Sequence, residues 1–454
     1  MSAYWLEHAV VDGRVRDGVV VTHDGGVITA VGESSEPGPQ DAVLRGLVLP
    51  GIANTHSHAF HRALRGRTHV GGGDFWTWRQ QMYRVAVRLD PDRYHALARA
   101  LFAELLLAGY SAVGEFHYVH RDPTTVMADA LVDAAREAGI RLTLLDTLYR
   151  HGGRDTDGRP VARAPEQRGF VLDTDTWLAR HDAIAVDGTV VGGTVVGGTA
   201  VGGTAVGGTV RRGAAIHSLR AVDPSDVARI VAATGDEPLH AHVSEQPGEN
   251  AQVRAAFGAS PVALLGEAGA LGVRFTAVHA THLDDADIAA LAGSSVAICP
   301  TTERDLGDGI GPARRLAEAG ARVVIGSDQQ AIVDPFDELR ALEGHERLRS
   351  LARGVFTPSE LLASATVDGY TSIGWTGGLR TGAVCDLVSV DLGSTRTAGA
   401  RLDQVWLAAS AADVTDVVVG GRRVVEAGAH SLGDVGALLA DAIAALDGIA
   451  EVDE

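Results

Sequence analysis

The chain has 454 residues, 46% hydrophobic and 21% charged, which suits a globular protein with a barrel of ~250 residues and a smaller second domain. Its formal net charge of −19 argues against nucleic acid or an anionic membrane as a partner, because phosphate groups require a basic surface. All 39 basic residues are arginines, which excludes lysine Schiff bases and lysine-containing phosphate loops.

The amino terminus and the cysteines favour a cytoplasmic protein. Residues 1–10 lack a basic segment followed by an apolar core, and no apolar run approaches the length of a membrane span. The two cysteines, Cys299 and Cys385, are too few for a disulfide framework or a thiolate zinc cluster. We therefore expect no membrane partner.

Strand patterns occupy both ends of the chain. Residues 1–48 alternate in polarity and carry turn signals at Asp12-Gly13 and Asp24-Gly25-Gly26, and residues 384–430 show the same pattern. We interpret these two stretches as one small β-sandwich domain formed from both termini. Residues 431–454 are apolar at helical spacing, which predicts a C-terminal helix.

The region 49–383 alternates short apolar runs with helical stretches, as in a parallel sheet with crossover helices. Eight strands are expected to end near His58, Tyr118, Asp146, Ser218, Glu245, Thr281, Pro300 and Asp328. Eight such strands close a (β/α)8 TIM barrel, in which catalytic groups lie at the carboxyl ends of the strands. The predicted fold class is therefore α/β, with this barrel beside the terminal β-sandwich.

One segment of the barrel region does not follow this pattern. Residues 188–210 repeat the unit Gly-Thr-(Val/Ala)-Val-Gly four times, with a partial fifth copy. A glycine-rich segment without charge cannot bury a helix face. We expect a flexible surface loop, with a short β ribbon as the alternative, and assign it no chemistry.

Histidines at the predicted strand ends form a candidate metal site. His56 and His58 are two residues apart on a strand and therefore face the same side, while His242 and Asp328 end later strands. Each has a structural alternative, a buried core histidine or a helix N-cap. Together, three imidazoles and one carboxylate can hold one divalent ion and lower the pKa of its bound water towards ~7. Zn²⁺ is the expected ion and Fe²⁺ the alternative.

These segments resemble the amidohydrolase superfamily, in its deaminase branch. The resemblance rests on His56-Ser57-His58, His242-x-x-Glu245, Val278-His279-Ala280-Thr281-His282 and Gly326-Ser327-Asp328. Members of this branch bind one metal ion without a carboxylated lysine, which fits a chain that has no lysine. The resemblance implies that Asp328 accepts a proton from water, that Glu245 passes it to a leaving nitrogen, and that His279 orients the hydroxide or stabilises charge. A merely solvated Glu245 is the alternative.

Further motifs, spread over residues 47 to 345, resemble the formimidoylglutamate deiminases of histidine degradation; they lie at 59–64, 74–79, 114–120, 217–220 and 301–309. That family hydrolyses the formimino C=N bond of N-formimino-L-glutamate and releases N-formyl-L-glutamate and ammonia. By motif position, the resemblance implies that the substrate contacts Arg79, Tyr118, His217, Arg220 and His61. Arginine suits a dicarboxylate because its fork pairs with carboxylate oxygens.

Two positions depart from that family. His61 stands where glutamine is common, and Gln329-Gln330 follows Asp328 in place of Ser-His or Ser-Asn. A related deaminase of a purine, pyrimidine or guanidino compound is therefore the alternative, although a neutral base needs no paired arginines. A catalytically silent barrel acting as a scaffold is the third hypothesis, but such a protein should have lost ligands. The expected partner is a small dicarboxylate, and a homodimer is the expected assembly because such barrels often pair.

Overall fold

The centre of the protein is a barrel of eight parallel strands. The computed structural model describes residues 2–69, 75–187, 190–191, 194–195, 200–201, 204–205 and 208–447. In chain order the barrel strands are Ile52–Ser57, Tyr110–His117, Arg141–Leu148, Val210–Ile216, Leu239–Val243, Phe275–His279, Ser295–Ile298 and Arg322–Ile325. Each pairs in parallel with its neighbour in sequence order. The predicted (β/α)8 barrel is confirmed.

The barrel closes between its first and last strands, at the candidate site. A parallel bridge joins Ser57 to Asp328. The amide of Asp328 donates to the carbonyl of His56 at 2.9 Å, and the amide of His58 donates to the carbonyl of Asp328 at 3.1 Å. Closure therefore fixes the backbone of three predicted metal ligands against one another.

The first, second, third and fifth barrel strands are buried along their whole length, as expected of parallel strands covered on both faces. Helices with N-caps at Asp90, Ser260, Asp334 and Thr357 begin with proline, which suits the first helical turn. The helices are Phe75–Ala86, Pro91–Leu107, Val126–Ala138, Thr174–Ala183, Pro224–Ala233, Pro247–Phe257, Pro261–Glu267, Asp285–Ala290, Pro300–Leu306, Ala313–Glu318, Pro335–Ser350, Pro358–Ala365, Val367–Ser372 and Val435–Asp447. Short 3₁₀ helices occupy Ala59–Leu64, Pro165–Gln167, Leu402–Leu407 and Ala411–Asp413. No helix within the described residues has the length and apolarity needed to cross a membrane.

Strands from both termini form the second domain, as predicted. They are hydrogen-bonded in the order Ala429–His430, Arg422–Glu426, Val414–Val419, Leu387–Val390, Ala42–Pro50, Ser2–Val11, Arg14–Asp24 and Val27–Glu33. Leu387–Val390 pairs antiparallel with Ala42–Pro50, and this contact joins the two ends of the chain. The final helix packs Val435 and Leu439 against Ala100 and Ala103 of the barrel.

The Gly/Thr/Val repeat lies largely outside the described residues, so its predicted flexibility stays a prediction. Its described residues include two antiparallel pairs of two-residue strands, Val190–Val191 with Thr194–Val195 and Ala200–Val201 with Thr204–Ala205, and residues 208–210, which lead into the fourth barrel strand.

A buried ion pair connects the barrel to the terminal domain. Arg141 donates through Nε and Nη2 to the two carboxylate oxygens of Asp386, at 2.7 and 2.9 Å, and both side chains are at most 2% exposed. Asp386 also accepts bonds from the Tyr370 hydroxyl and the Gly420 amide, each at 2.7 Å. The carboxylate therefore depends on this cluster for its stabilisation away from water.

Substitution Arg141→Met is expected to lower the free energy of unfolding by about 3–5 kcal/mol, because it leaves a buried carboxylate uncompensated. Urea unfolding followed by circular dichroism measures the change. Arg401→Met is the control, since Arg401 pairs with Asp403 on the surface and its side chain is 74% exposed. Equal stability losses in the two variants would contradict the prediction.

Candidate metal centre and active site

The carboxyl ends of the barrel strands surround a small cavity with a volume of about 50 Å³. Its lining residues are His58, His61, Trp78, Arg79, Met82, Tyr118, His217, Arg220, His242, Glu245, His279, Leu306 and Asp328. All the predicted site residues except one are in this set. The exception, His56, is fully buried and contacts the ligand atoms of His242 and Asp328.

Three of the distances between the predicted ligand atoms fit a common ion. The ligand atoms of His56, His58 and Asp328 all lie within 4.8 Å of one another, while His242 falls in a second such group with His56 and His279. Nε2 of His56 lies 3.2 Å from Nε2 of His242 and 3.4 Å from Oδ1 of Asp328, and Nε2 of His58 also lies 3.4 Å from Oδ1 of Asp328. Ligand atoms ~2.0–2.2 Å from one tetrahedral ion would be roughly 3.3–3.6 Å apart. The donor set and its spacing therefore suit a divalent metal.

Hydrogen bonds fix the orientation of two of the imidazoles. Nδ1 of His58 donates to the carbonyl of Phe116 at 2.9 Å, and Nδ1 of His242 donates to the carbonyl of His217 at 2.9 Å. Each Nε2 is then left with its lone pair towards the centre, as a metal-binding histidine requires. Burial lowers the pKa of His56, His58 and His242, which favours the neutral form that ligates metal.

His279 lies next to these ligands in a different electrostatic environment. Its ligand nitrogen lies within 4.8 Å of those of His56 and His242, so position alone does not separate it from the ligands. Burial opposes its charged form, but Glu245, Glu303 and Asp328 outweigh burial and raise the pKa of His279 to about 10. Its Nδ1 faces Oε1 of Glu303 at 3.4 Å. This carboxylate-rich surrounding suits a charged or proton-donating histidine.

The predicted proton carriers are adjacent to His279. Its Nε2 lies 3.8 Å from Oε1 of Glu245 and 3.7 Å from Oδ2 of Asp328. Burial raises the pKa of Glu245, and the charge of Asp328 raises it further. For Asp328, burial is outweighed by His56, His279 and His58, which lower the pKa of its carboxyl group. One carboxyl group is thus disposed to hold a proton and the other to remain ionised.

The backbone at these strand ends adopts an uncommon conformation. His279, Asp328 and Ser244 have φ values of 66°, 45° and 53°, in the left-handed region that non-glycine residues seldom occupy. Such strain is concentrated at functional sites. A Cβ atom at Gly326 would lie 2.9 Å from the carbonyl oxygen of His56, which explains glycine two residues before Asp328.

The predicted substrate contacts form one wall of the cavity. Nε2 of His61 and the hydroxyl of Tyr118 are 3.1 Å apart, and burial lowers the pKa of His61 to about 3. Nη2 of Arg79 donates to the hydroxyl of Tyr149 at 3.1 Å. The positive charges of Arg220 and Arg79 both act to lower the pKa of Glu245, so both guanidinium groups lie close enough to this carboxyl group to influence it.

Gln329 and Gln330, which differ from the residues common in the family that the sequence resembles, hold the loop after Asp328. Gln330 donates from Nε2 to the hydroxyl of Ser57 at 2.9 Å, and its Oε1 accepts from Ser327 at 2.6 Å. Gln329 donates to Asp305 at 2.7 Å. Both side chains therefore brace the backbone that presents Asp328.

Sequence reasoning missed three lining residues: Trp78, Met82 and Leu306. Trp78 and Met82 are four residues apart on the helix Phe75–Ala86, so they share the face that carries Arg79. That spacing could have identified Met82. Leu306 ends the helix Pro300–Leu306 and had no comparable signal.

The purified protein is expected to hold about one equivalent of divalent metal if His56, His58, His242 and Asp328 are its four ligands, as the sequence predicts. Substitution His242→Gln should remove most of it, as measured by inductively coupled plasma mass spectrometry. His240→Gln is the matched control: it lies on the same strand, but its Nε2 bonds to the carbonyl of Ser372 at 3.0 Å. Full metal content in His242→Gln would contradict this ligand set.

Comparison with known proteins places the chain in a family. The sequence profile of the amidohydrolase family matches residues 47–424. Formimidoylglutamate deiminase from Pseudomonas aeruginosa is 35% identical, covering 95% of this chain and 96% of its own length. 8-Oxoguanine deaminase from the same organism is 28% identical, covering 97% of each chain. The crystal structure of an amidohydrolase from Brucella melitensis superposes with a TM-score of 0.86 at 31% identity, covering 99% of this chain and 100% of that one. The chain therefore belongs to the amidohydrolase family and is a hydrolase that acts on C–N bonds.

Proposed function

We propose that this hydrolase is a metal-dependent formimidoylglutamate deiminase, which converts N-formimino-L-glutamate and water into N-formyl-L-glutamate and ammonia. The observation that carries the proposal is a cavity lined by three of the four candidate metal ligands together with two arginines, Arg79 and Arg220. The similarity to the Pseudomonas aeruginosa formimidoylglutamate deiminase supports the same substrate.

His56, His58, His242 and Asp328 would hold the metal, for which we propose Zn²⁺ with Fe²⁺ as the alternative. When bound, the ion supplies Lewis-acid activation of water, which brings the pKa of that water towards ~7. Neutral imidazoles suit this purpose because they leave the ion with net positive charge.

The side chains then move two protons. Asp328, ionised at neutral pH, accepts a proton from the attacking water, whose oxygen forms a bond to the formimino carbon. Protonated Glu245 delivers its proton to the terminal =NH nitrogen, which leaves a tetrahedral carbon with one –NH₂ and one –OH group. The proton held by Asp328 then passes to the –NH₂ group and the hydroxyl proton returns to Glu245. The C–N bond breaks, ammonia leaves, and the carbon becomes the formyl C=O. His279 lies 3.8 Å from Glu245 and 3.7 Å from Asp328, so its positive charge can stabilise the negative charge that develops on oxygen.

The arginines account for selectivity towards a dicarboxylate. A guanidinium group can donate two parallel hydrogen bonds to one carboxylate, so Arg79 and Arg220 can each receive one end of the glutamate portion. Tyr118, His61 and His217 offer further polar groups along the same wall. In a chain of net charge −19, such cations also offset the repulsion of a dianion at long range.

An ammonia-release assay tests the proposal. Metal-loaded protein is incubated with N-formimino-L-glutamate and, separately, with adenine, guanine, 8-oxoguanine and cytosine. We expect rapid ammonia release from formiminoglutamate alone. Because one relative deaminates 8-oxoguanine, comparable or faster release from a purine would overturn the proposal in favour of a base deaminase.

A further inference from the structure

A cluster of neutral polar side chains lies directly behind Arg79. Tyr149 follows the third barrel strand, Gln167 ends a short 3₁₀ helix in the loop after that strand, and Tyr83 lies one helical turn after Arg79. The cluster therefore links the helix that carries Arg79 to the loop after a different barrel strand. None of the predicted roles described above uses Tyr149, Gln167 or Tyr83.

The amide of Gln167 has a fixed orientation. Its Oε1 accepts from the backbone amide of Ala164 at 2.8 Å, so Nε2 is the atom that faces the tyrosines. This nitrogen lies 3.0 Å from the hydroxyl of Tyr149, 3.1 Å from that of Tyr83 and 3.1 Å from the carbonyl of Gly152. A Cβ at Gly152 would lie 2.9 Å from Gln167 Oε1, so the loop encloses this amide tightly.

The hydroxyl of Tyr149 acts as an acceptor for Arg79. Neither an amide NH₂ nor a guanidinium can accept a hydrogen bond, so the Tyr149 oxygen receives the bond from Arg79 Nη2 at 3.1 Å and faces the donor of Gln167. The Tyr149 ring also packs edge-on against His217, with centroids 4.3 Å apart, and is itself only 2% exposed. Tyr149 therefore contacts two lining residues from outside the cavity.

The guanidinium of Arg79 also lies over the ring of Tyr83, 5.2 Å from its centroid. One tyrosine thus supplies an oxygen acceptor and the other a π face. These two contacts restrict a long side chain that would otherwise lose rotamer entropy on binding a substrate. A preoriented guanidinium fork matches the planar geometry of a carboxylate.

We propose that Tyr149, oriented by Gln167, is a positioning residue that aligns Arg79 for substrates bearing a carboxylate. The inference rests on the proposed function in so far as the carboxylate is that of formiminoglutamate. Tyr149 acts through Arg79, so its removal should weaken binding of the ground state and of the transition state alike. Such a loss appears in KM, with little change in kcat.

The test compares Tyr149→Phe with Tyr110→Phe. Both changes remove one buried hydroxyl, but that of Tyr110 has no hydrogen-bond partner among the described residues. Tyr149→Phe should raise the KM for N-formimino-L-glutamate about 10-fold, as expected for a hydrogen bond to a charged group, and change kcat less than about 3-fold. For N-propylformamidine, which lacks a carboxylate, kcat/KM should stay constant. Gln167→Leu should raise the KM for formiminoglutamate by a smaller factor. Equal losses on the two substrates, or a Tyr149→Phe variant equal to Tyr110→Phe, would overturn the inference.

A binding measurement separates this inference from the proposed function. Isothermal titration of the metal-loaded protein with glutarate should show weaker binding in Tyr149→Phe and in Arg79→Met than in the wild type. If the wild type does not hydrolyse formiminoglutamate but this pattern holds, the proposed function fails and the positioning role stands. If glutarate does not bind the wild type, or binds Tyr149→Phe equally well, the positioning role is wrong.

Discussion

Substitution Asp328→Asn is expected to lower kcat for formiminoglutamate hydrolysis by about 10³-fold or more, because an amide cannot accept the proton of the attacking water. The surroundings of Asp328 keep it ionised: the histidines His56, His279 and His58 together outweigh burial and lower its pKa. Asparagine has nearly the same shape and tolerates the left-handed backbone conformation found here, with φ at 45°. The loss should therefore arise from chemistry and not from the fold.

Asp12→Asn is the matched control, since Asp12 also has a left-handed backbone, with φ at 48°, in an exposed turn of the terminal domain. Steady-state kinetics of both variants are measured with metal in excess, and bound metal is quantified in parallel. Because Asp328 is also a proposed ligand, a variant that regains a full equivalent of metal but stays inactive isolates the proton-transfer role. Activity of Asp328→Asn within tenfold of the wild type would contradict that role.

The fold could be predicted from the sequence because the patterns that indicate its strands are local. Short apolar runs alternate with helical stretches along the barrel region, so all eight strand ends could be predicted to within three residues of where they lie. The terminal domain was accessible for the same reason, as its alternating strands occupy both ends of the chain. The repeat at 188–210 had no such signal, because a glycine-rich segment without a hydrophobic period favours no single arrangement.

The candidate site was partly accessible. The shared direction of His56 and His58 could be predicted from the sequence, since side chains two residues apart on a strand face the same side. The contact between His279 and Glu303 could not be predicted from the sequence. Glu303 lies on the helix Pro300–Leu306, after the seventh strand, and no local pattern connects the two residues. The Tyr149–Gln167 pair and the brace from Gln330 to Ser57 are likewise contacts between distant segments, 18 and 273 positions apart. Barrel closure brings Gln330 to Ser57, and the fold of the loop after the third strand brings Gln167 to Tyr149.

Arg220→Met is expected to raise the KM for formiminoglutamate steeply, by about 100-fold, because it removes a charge-assisted pair with a substrate carboxylate and leaves that carboxylate facing a partly apolar wall. Arg220 is 9% exposed and lies in the cavity lining with Glu245 and His217. Methionine keeps most of the length and apolar surface of the side chain, so the change is mainly one of charge. Because Arg220 is proposed to contact the non-reacting part of the substrate, kcat should fall much less than kcat/KM.

Arg229→Met serves as the control, since Arg229 lies on the helix that follows and pairs with Asp175 at the surface, where the Arg229 side chain is 45% exposed. Initial rates for both variants are measured over a range of formiminoglutamate concentrations and, separately, with N-propylformamidine. Loss of the arginine that receives the carboxylate should lower the ratio of kcat/KM for formiminoglutamate to kcat/KM for N-propylformamidine, which lacks a carboxylate, by the same factor that KM rises. An Arg220→Met enzyme with unchanged KM, together with wild-type activity on neutral bases, would remove the argument for a dicarboxylate substrate. Arg220 would then have no measurable role in substrate binding.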